Sequence, residues 1–231
     1  MKTHLIIGEG EIGSALKEVL SPHYPAQSRD LKSDLQGHFD VLHICYPPIK
    51  NFIEVTKEYA KTYTPELIIV HATVPVGTTS ALGGNAVHSP VRGTHPRLAE
   101  GIKTFVKYFG GPKAEEAAEY FVKIGIPTKT FAKSETTELA KILDTTYYGW
   151  NIVFAKEVKR MCDTMGLNFE EVYTIPNNDY NEGYGKLGKP NVLRPVLSPV
   201  PGKIGGHCVI PNTELLDDWL TNTLKEQNET Y

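Results

Sequence analysis

Leu5-Ile-Ile-Gly8-Glu-Gly10-Glu-Ile-Gly13 decides the fold. A short apolar run leads into Gly8, Gly10 and Gly13 at the spacing G-x-G-x-x-G, and a helical pattern over residues 12–20 follows. This is the order in which a buried strand passes through a glycine turn into a helix. Such a turn lets a pyrophosphate approach the backbone N–H groups at the helix N-terminus. Gly8, Gly10, Glu11, Ile12 and Gly13 form the candidate dinucleotide loop, with the charges of Glu9 and Glu11 an objection to phosphate there. Two further apolar runs, Val41-Leu-His-Ile-Cys45 and Leu67-Ile-Ile-Val70, flank a helical pattern over residues 51–61. Continuous apolar runs alternating with helices are the βαβ rhythm of a Rossmann-like, doubly wound, mostly parallel sheet. Past a weak second strand at Pro25-Ala-Gln27 comes Ser28-Arg29-Asp30, where the ribose-reading residue belongs. Asp30 suits a bare 2′-hydroxyl, whereas Ser28 with Arg29 suits a 2′-phosphate, so NAD and NADP both stay open. Tyr46 and Pro47, after the third strand, join the cofactor set.

Farther along, a strand over residues 104–109, a helix opened by Gly111-Pro112 and a strand over residues 128–131 complete an α/β domain of residues 1–133. From Ser134 the pattern is helical, giving a second domain of residues 134–231. Its long helix starts at Ser134-x-x-Thr137-Glu138, runs to about Met165 and stops at Gly166. Leu139, Ile142, Leu143, Tyr147, Trp150, Val153, Phe154 and Val158 recur at three and four, which predicts one broad buried stripe. A short helix from Asn168 ends before Pro176. Residues 177–201, rich in Gly, Pro, Asn and Tyr, read as a substrate loop. A last amphipathic helix covers residues 213–224, with a polar tail that frays.

The 231 residues carry a net charge of -3, which excludes a basic footprint for nucleic acid or a membrane surface. No apolar run reaches the ~20 residues of a transmembrane helix. The start Met-Lys-Thr-His leaves no room for a signal peptide. The three cysteines are odd in number and far apart, which points to a reducing compartment, and the eight histidines lack metal-ligand spacing. The expectation is a soluble, cytoplasmic protein with no metal.

The chemistry concentrates in Pro199-Val-Pro-Gly-Lys-Ile-Gly-Gly-His-Cys208-Val-Ile-Pro-Asn212. Two glycines before Cys208 admit close approach of a ligand, and His207 can favour the thiolate. A nucleophilic thiol beside a hydride acceptor suits oxidation at the aldehyde level.

Three further stretches carry a resemblance: His71-Ala-Thr-Val-Pro-Val-Gly-Thr-Thr79, Thr137-Glu-Leu-Ala-Lys141 with its helix through Glu157 to Cys162, and Gly205-Gly-His-Cys208. Together they resemble the UDP-glucose/GDP-mannose dehydrogenase family, nearest its UDP-N-acetylhexosamine branch. The resemblance implies two successive oxidations of a sugar-nucleotide primary alcohol, through an aldehyde and a cysteine thioester, with two NAD⁺ consumed. It implies Cys208 as nucleophile, Lys141 as the cation for developing oxyanions and Thr73 as a partner that positions substrate or water and borders the cofactor. Lys141, Thr145, Gly205, Gly206, His207 and Asn212 would contact substrate. It also implies a homodimer through the long helix.

The departures matter as much. Thr145, with Asp144 beside it, stands where the family has asparagine; Ser89-Pro90-Val91 replaces Asn/Ser-Pro-Glu; and Asn212 replaces aspartate. The general-base machinery for thioester hydrolysis is therefore altered, with His88 or His95 as candidate replacements. The family continues into a second α/β domain that clamps the nucleotide, and this chain ends first, so a smaller substrate or a separate nucleotide-binding subunit is expected. The leading reading is an NAD(P)-dependent oxidoreductase acting on a CH–OH group. The alternatives are a catalytically impaired dinucleotide-binding sensor or scaffold, or one half of a split dehydrogenase.

Overall fold

Alternating side chains along the inner strands are buried on both faces of one sheet, and that double burial sets the architecture. The computed structural model describes residues 1–30, 35–94 and 96–231. In chain order the first unit, Met1–Lys141, contains β1 (His4–Ile7), α1 (Glu11–Leu20), β2 (Ala26–Arg29), β3 (Val41–Ile44), α2 (Phe52–Tyr63), β4 (Leu67–Val70), β5 (Ala86–His88), α3 (Leu98–Thr104), β6 (Lys107–Gly110), α4 (Ala114–Val122) and β7 (Thr128–Phe131). The strand order is β2-β1-β3-β4-β5-β6-β7. All neighbours pair in parallel except β5 and β6, where His88 lies opposite Gly110 in an antiparallel bridge.

Every residue of β1, β3 and β4 is buried. The pleat sends Ile6 into one core with Leu16, Leu20, Phe109 and Phe121, and its neighbours Leu5 and Ile7 into the other with Phe52, Tyr63 and Val70. Each such side chain contributes about 1.5–3 kcal/mol on burial. The sequence pattern missed β5 and α3: Ala86-Val-His88 is too short an apolar run to register, and α3 occupies the stretch just before the expected strand at residues 104–109. That strand instead begins at Lys107, because Phe105 and Val106 are exposed.

The second unit, Ile142–Tyr231, is helical. α5 (Ser134–Met165) crosses the division between the units and stops at Gly166, whose φ of +68° suits glycine. Its apolar stripe splits in two. Ile142, Val153 and Val158 are buried, whereas Tyr147 and Phe154 are 63% and 59% exposed. Pro176 does not end a helix: a wide π turn at Glu170–Thr174 runs directly into α6 (Ile175–Lys186), with Pro176 in the first turn, where a missing N–H costs nothing. The expected substrate loop is thus helical as far as Lys186. A strap behind it is pinned to α6, since Asn181 accepts from the Arg194 N–H at 2.8 Å and donates to the Arg194 carbonyl at 2.9 Å. α7 (Val209–Thr213) and α8 (Trp219–Glu229) follow. α8 starts later than expected, at an Asp218–Thr221 capping box, and its tail is docked: the Tyr231 hydroxyl donates to Glu157 Oε1 at 2.7 Å.

Candidate active site

Strand order reverses between β1 and β3, so the loops leaving their carboxyl ends border the crevice where an α/β sheet binds ligands. The three fingerprint glycines do three different jobs there. Gly8 has a φ of +101° and lies against the next loop, where a Cβ would sit 2.9 Å from the Tyr46 nitrogen. Gly13 lets α1 close on the turn, since a Cβ would come within 1.8 Å of the Gly8 carbonyl. Gly10 caps α1 without a side-chain hydrogen bond, and nothing lies within 4 Å of where its Cβ would be. The N-terminus of a ten-residue helix thus has open space beside Gly10, as an anion requires. A groove of about 680 Å³ runs along this turn, bordered by Glu9, Gly10, Glu11 and Ser14 on one side and Pro96 to Glu100 on the other.

At the end of β2, Ser28 donates to Glu9 Oε1 at 2.6 Å and accepts from Lys17 Nζ at 2.7 Å. Lys17 thereby offsets the Glu9 charge that counted against phosphate. Arg29 turns onto the Tyr59 ring and donates to the Tyr63 hydroxyl at 2.6 Å. Asp30 is exposed, its carbonyl accepting from Arg29 Nε at 3.3 Å. The Tyr46 side chain meets Thr56 at 2.5 Å, and burial pushes its hydroxyl up to about 12. Pro47 is exposed beside it.

Thr73 is half-buried just past the carboxyl end of β4, ahead of a turn that α5 holds from below. The buried Glu138 carboxylate accepts from the Gly77 N–H at 2.7 Å and the Thr79 N–H at 2.8 Å. Burial raises its pKa, and those backbone bonds oppose the rise. Glu138 precedes Lys141 by three residues on α5, so one helix fixes the turn and presents the ammonium. The sequence marked Glu138 only as a helix-start signal. An acidic residue near a helix start is ordinary, and only the turn it reaches reveals its work.

His88 is fully enclosed. Its Nε2–H donates to the Ala72 carbonyl at 3.2 Å, its Nδ1 meets the Thr137 hydroxyl at 2.9 Å, and burial lowers the ring to about 3. It is therefore no replacement base. His95 lies outside the described residues. Val91 is buried where the resemblance places a carboxylate. Behind it Lys107 Nζ donates to the carbonyls of Ser89, at 3.1 Å, and Pro90, at 3.5 Å, and burial lowers its pKa to about 7.

The same Ser89 carbonyl ends a line of three buried imidazoles. His71 Nδ1 lies 2.9 Å from it, His43 Nδ1 lies 2.9 Å from His71 Nε2, and His4 Nδ1 lies 2.9 Å from His43 Nε2. A carbonyl only accepts, so His71 carries its proton on Nδ1; burial keeps the rings neutral, and the same assignment passes to His43 and His4. Among the described residues His4 Nε2 is left as a buried acceptor with no partner.

Cys45 in the first unit and Cys162 in the second are buried, and Cys208, in the second, is the exposed cysteine. It caps α7, preceded by exposed Gly205, Gly206 and His207, with Gly206 at φ +84° and open space around both glycines. Gly149 lets this region close on α5: a Cβ there would lie 2.6 Å from Leu224 and 2.7 Å from Val209, the residue after Cys208. Thr145 and Asn212, two of the departures, meet each other. Asn212 Nδ2 donates to Thr145 Oγ1 at 3.2 Å, so an amide–hydroxyl pair stands where the resemblance places an asparagine and an aspartate. Among the described residues no cluster of His, Cys, Asp and Glu could hold a metal ion, and no helix is long and apolar enough to cross a membrane.

Comparison with known proteins bears out the resemblance. Residues 135–227 match the model of the UDP-glucose/GDP-mannose dehydrogenase family, central domain. UDP-N-acetyl-D-mannosamine dehydrogenase of Methanococcus maripaludis is 28% identical over 152 residues, covering 62% of this chain and 33% of that protein. This chain spans about a third of the length of the curated relatives it matches. Among solved structures, a UDP-D-ManNAc dehydrogenase from Pyrococcus horikoshii superposes with a TM-score of 0.77 at 18% identity, over 98% of this chain and 68% of the other. A 3-hydroxyisobutyrate dehydrogenase from Mycobacterium tuberculosis gives 0.69 at 14% identity, over 98% of this chain and 92% of the other. These likenesses confirm the Rossmann-like fold followed by a long helix.

Proposed function

We propose that this relative of the UDP-glucose/GDP-mannose dehydrogenases is a dinucleotide-dependent dehydrogenase that oxidises an alcohol, with Cys208, Lys141 and Thr73 as its reacting and positioning groups. One observation carries the reading: the exposed thiol sits on an open glycine hinge at the start of α7, in a chain whose Gly10 cradle is open to a pyrophosphate. The loop from Gly8 to Gly13 would hold the dinucleotide, which when bound supplies a hydride acceptor. The ribose 2′ position would meet the Glu9–Ser28–Lys17 group, whose carboxylate suits a 2′-hydroxyl and whose ammonium suits a 2′-phosphate, so NAD and NADP both stay open. Cys208, as thiolate, adds its sulfur to an aldehyde carbon, and the Lys141 ammonium stabilises the oxygen that gains charge. Thr73 orients the substrate or water.

The name of the matched relatives makes a nucleotide sugar such as UDP-N-acetyl-D-mannosamine the first substrate to try. With Val91 buried, His88 sealed and Asn212 an amide, release of an acyl group from sulfur is the slow stage. Reduction of NAD⁺ with this sugar is expected to fall at least about a hundredfold in Cys208→Ala with unchanged thermal stability. Unchanged turnover in that variant overturns the assignment of the thiol. A second reading, a dinucleotide-binding protein without turnover, is favoured by the Thr145–Asn212 pair and buried Val91. It predicts NADH binding by fluorescence with no reduction of NAD⁺. The exposed line Tyr147, Phe154, Met161 and Met165 on α5 is the face we assign to a second copy of the chain.

A further inference from the structure

Lys156 is buried on α5, an unusual place for an ammonium, and among the described residues no carboxylate pairs with it. Its Nζ donates to the Val200 carbonyl at 2.5 Å and to the Gly202 carbonyl, and it lies 4.8 Å from the centre of the Tyr231 ring. The cation is therefore satisfied by backbone oxygens and an aromatic face. The neighbouring carboxylate, Glu157, is engaged by Tyr231 and Arg160. The same segment is gripped from α8: Asn228 Oδ1 accepts from the Ile204 N–H at 2.6 Å, and Lys203 pairs with Glu229 at 2.5 Å. Residues 200–204 are thus clamped on two sides, while a Cβ added at Gly205 or Gly206, next in the chain, would meet nothing within 4 Å. The clamp ends where the hinge to Cys208 begins.

We propose that Lys156 is a positioning residue for the thiol: its ammonium anchors the stem of the Cys208 loop, so that only the Gly205-Gly206 hinge is left to move. Charge suits this task better than a neutral amide. One ammonium binds two backbone carbonyls of the stem at once, and charged hydrogen bonds are the stronger kind. The position of the sulfur then depends on a residue fifty-two places earlier that never touches substrate.

This inference rests on the reading of Cys208 as the site thiol, and the test separates the two. Hydrogen exchange of the full chain is compared for the parent, Lys156→Met and Lys156→Arg, with iodoacetamide alkylation of Cys208 and Cys162 followed in the same samples. Amides of residues 202–208 are expected to exchange at least about tenfold faster in Lys156→Met, with the sheet unchanged and near-parent protection restored in Lys156→Arg. The alkylation rate of Cys208 should change in Lys156→Met while that of Cys162 does not, and kcat with NAD⁺ and the sugar should fall more than KM rises. Parent-like exchange at 202–208 in Lys156→Met overturns the anchor. Should that variant fail to fold, Tyr231→Leu, which takes the ring from Lys156 and the hydroxyl from Glu157, is held to the same two outcomes. If Cys208→Ala retains turnover while the exchange result holds, the thiol assignment fails and the anchor stands.

Discussion

The glycine loop of the first unit and the glycine loop of the second share a composition and differ in what surrounds them. Gly8 and Gly13 are pressed against backbone, whereas Gly205 and Gly206 stand in the open. Where a glycine is required by close approach, chain geometry alone fixes the loop, and the loop's shape is inseparable from the sheet. Where it is required for motion, the loop must be held by something else, and here that is done by Lys156 and Asn228 at its stem. A cofactor cradle gains from the first arrangement, since a preformed row of N–H groups costs no ordering on binding. A nucleophile that must reach a carbon and later let it go gains from the second.

Acid should break this contrast most strongly, because the buried histidines all belong to the first unit and the second contains only the exposed His207. His4 is lowered to about 4 and His88 to about 3, and His43 and His71 lie well below the ordinary value, in each case chiefly by burial. The unfolded chain takes up protons near pH 6.5 that these rings refuse. Their contribution is therefore whole above pH 6.5 and is lost as pH falls toward 4 and 3. His4 alone accounts for about 3 kcal/mol at the acid end. Urea unfolding at pH 7 and pH 4.5 checks it, and equal midpoints would refute it.

Next in size is a pair of substitutions in one loop. Gly13→Ala drives a methyl into the Gly8 carbonyl and is expected to cost about 3 kcal/mol and to abolish NADH binding. Gly10→Ala meets no atom, so stability should change by less than about 1 kcal/mol while NADH affinity drops, because the methyl stands in the space kept for phosphate. Melting curves with NADH titrations distinguish the two, and matching losses of stability would show that the cradle is not open at Gly10.

The smallest stability effect is expected in the second unit. Phe154→Lys alters a 59% exposed side chain and should move stability by no more than about 0.5 kcal/mol. Sedimentation is expected to show a dimer for the parent and a monomer for the variant. A monomeric parent would leave the exposed line without its assigned partner.

How legible these regions were follows from the same difference. Leu5-Ile-Ile7, Val41-Leu-His-Ile and Leu67-Ile-Ile-Val70 announce buried parallel strands because apolar side chains on both faces leave no alternation to misread. The glycine spacing that follows them reports a backbone need, and sequence records backbone needs well. Pro176 misled because a proline reads alike whether it ends one helix or opens the first turn of the next. The apolar residues of α5 signalled one wide stripe, yet periodicity cannot tell a side chain buried in its own chain from one left bare, and Tyr147 and Phe154 are of the second kind. Cys208 was visible as chemistry. Glu138, Lys156 and Gly149 were not, since each acts on residues 44 or more positions away, for Glu138 on a turn 59 and 61 positions back.

The row of imidazoles beneath the Ser89 carbonyl has a last consequence. Each ring's proton is assigned by its neighbour, so turning one ring over would set donor against donor on one side and acceptor against acceptor on the other. The row therefore holds a single polarity, directed from His4 toward the Ser89 carbonyl, so the tautomer of each buried ring is fixed by the neighbour it donates to.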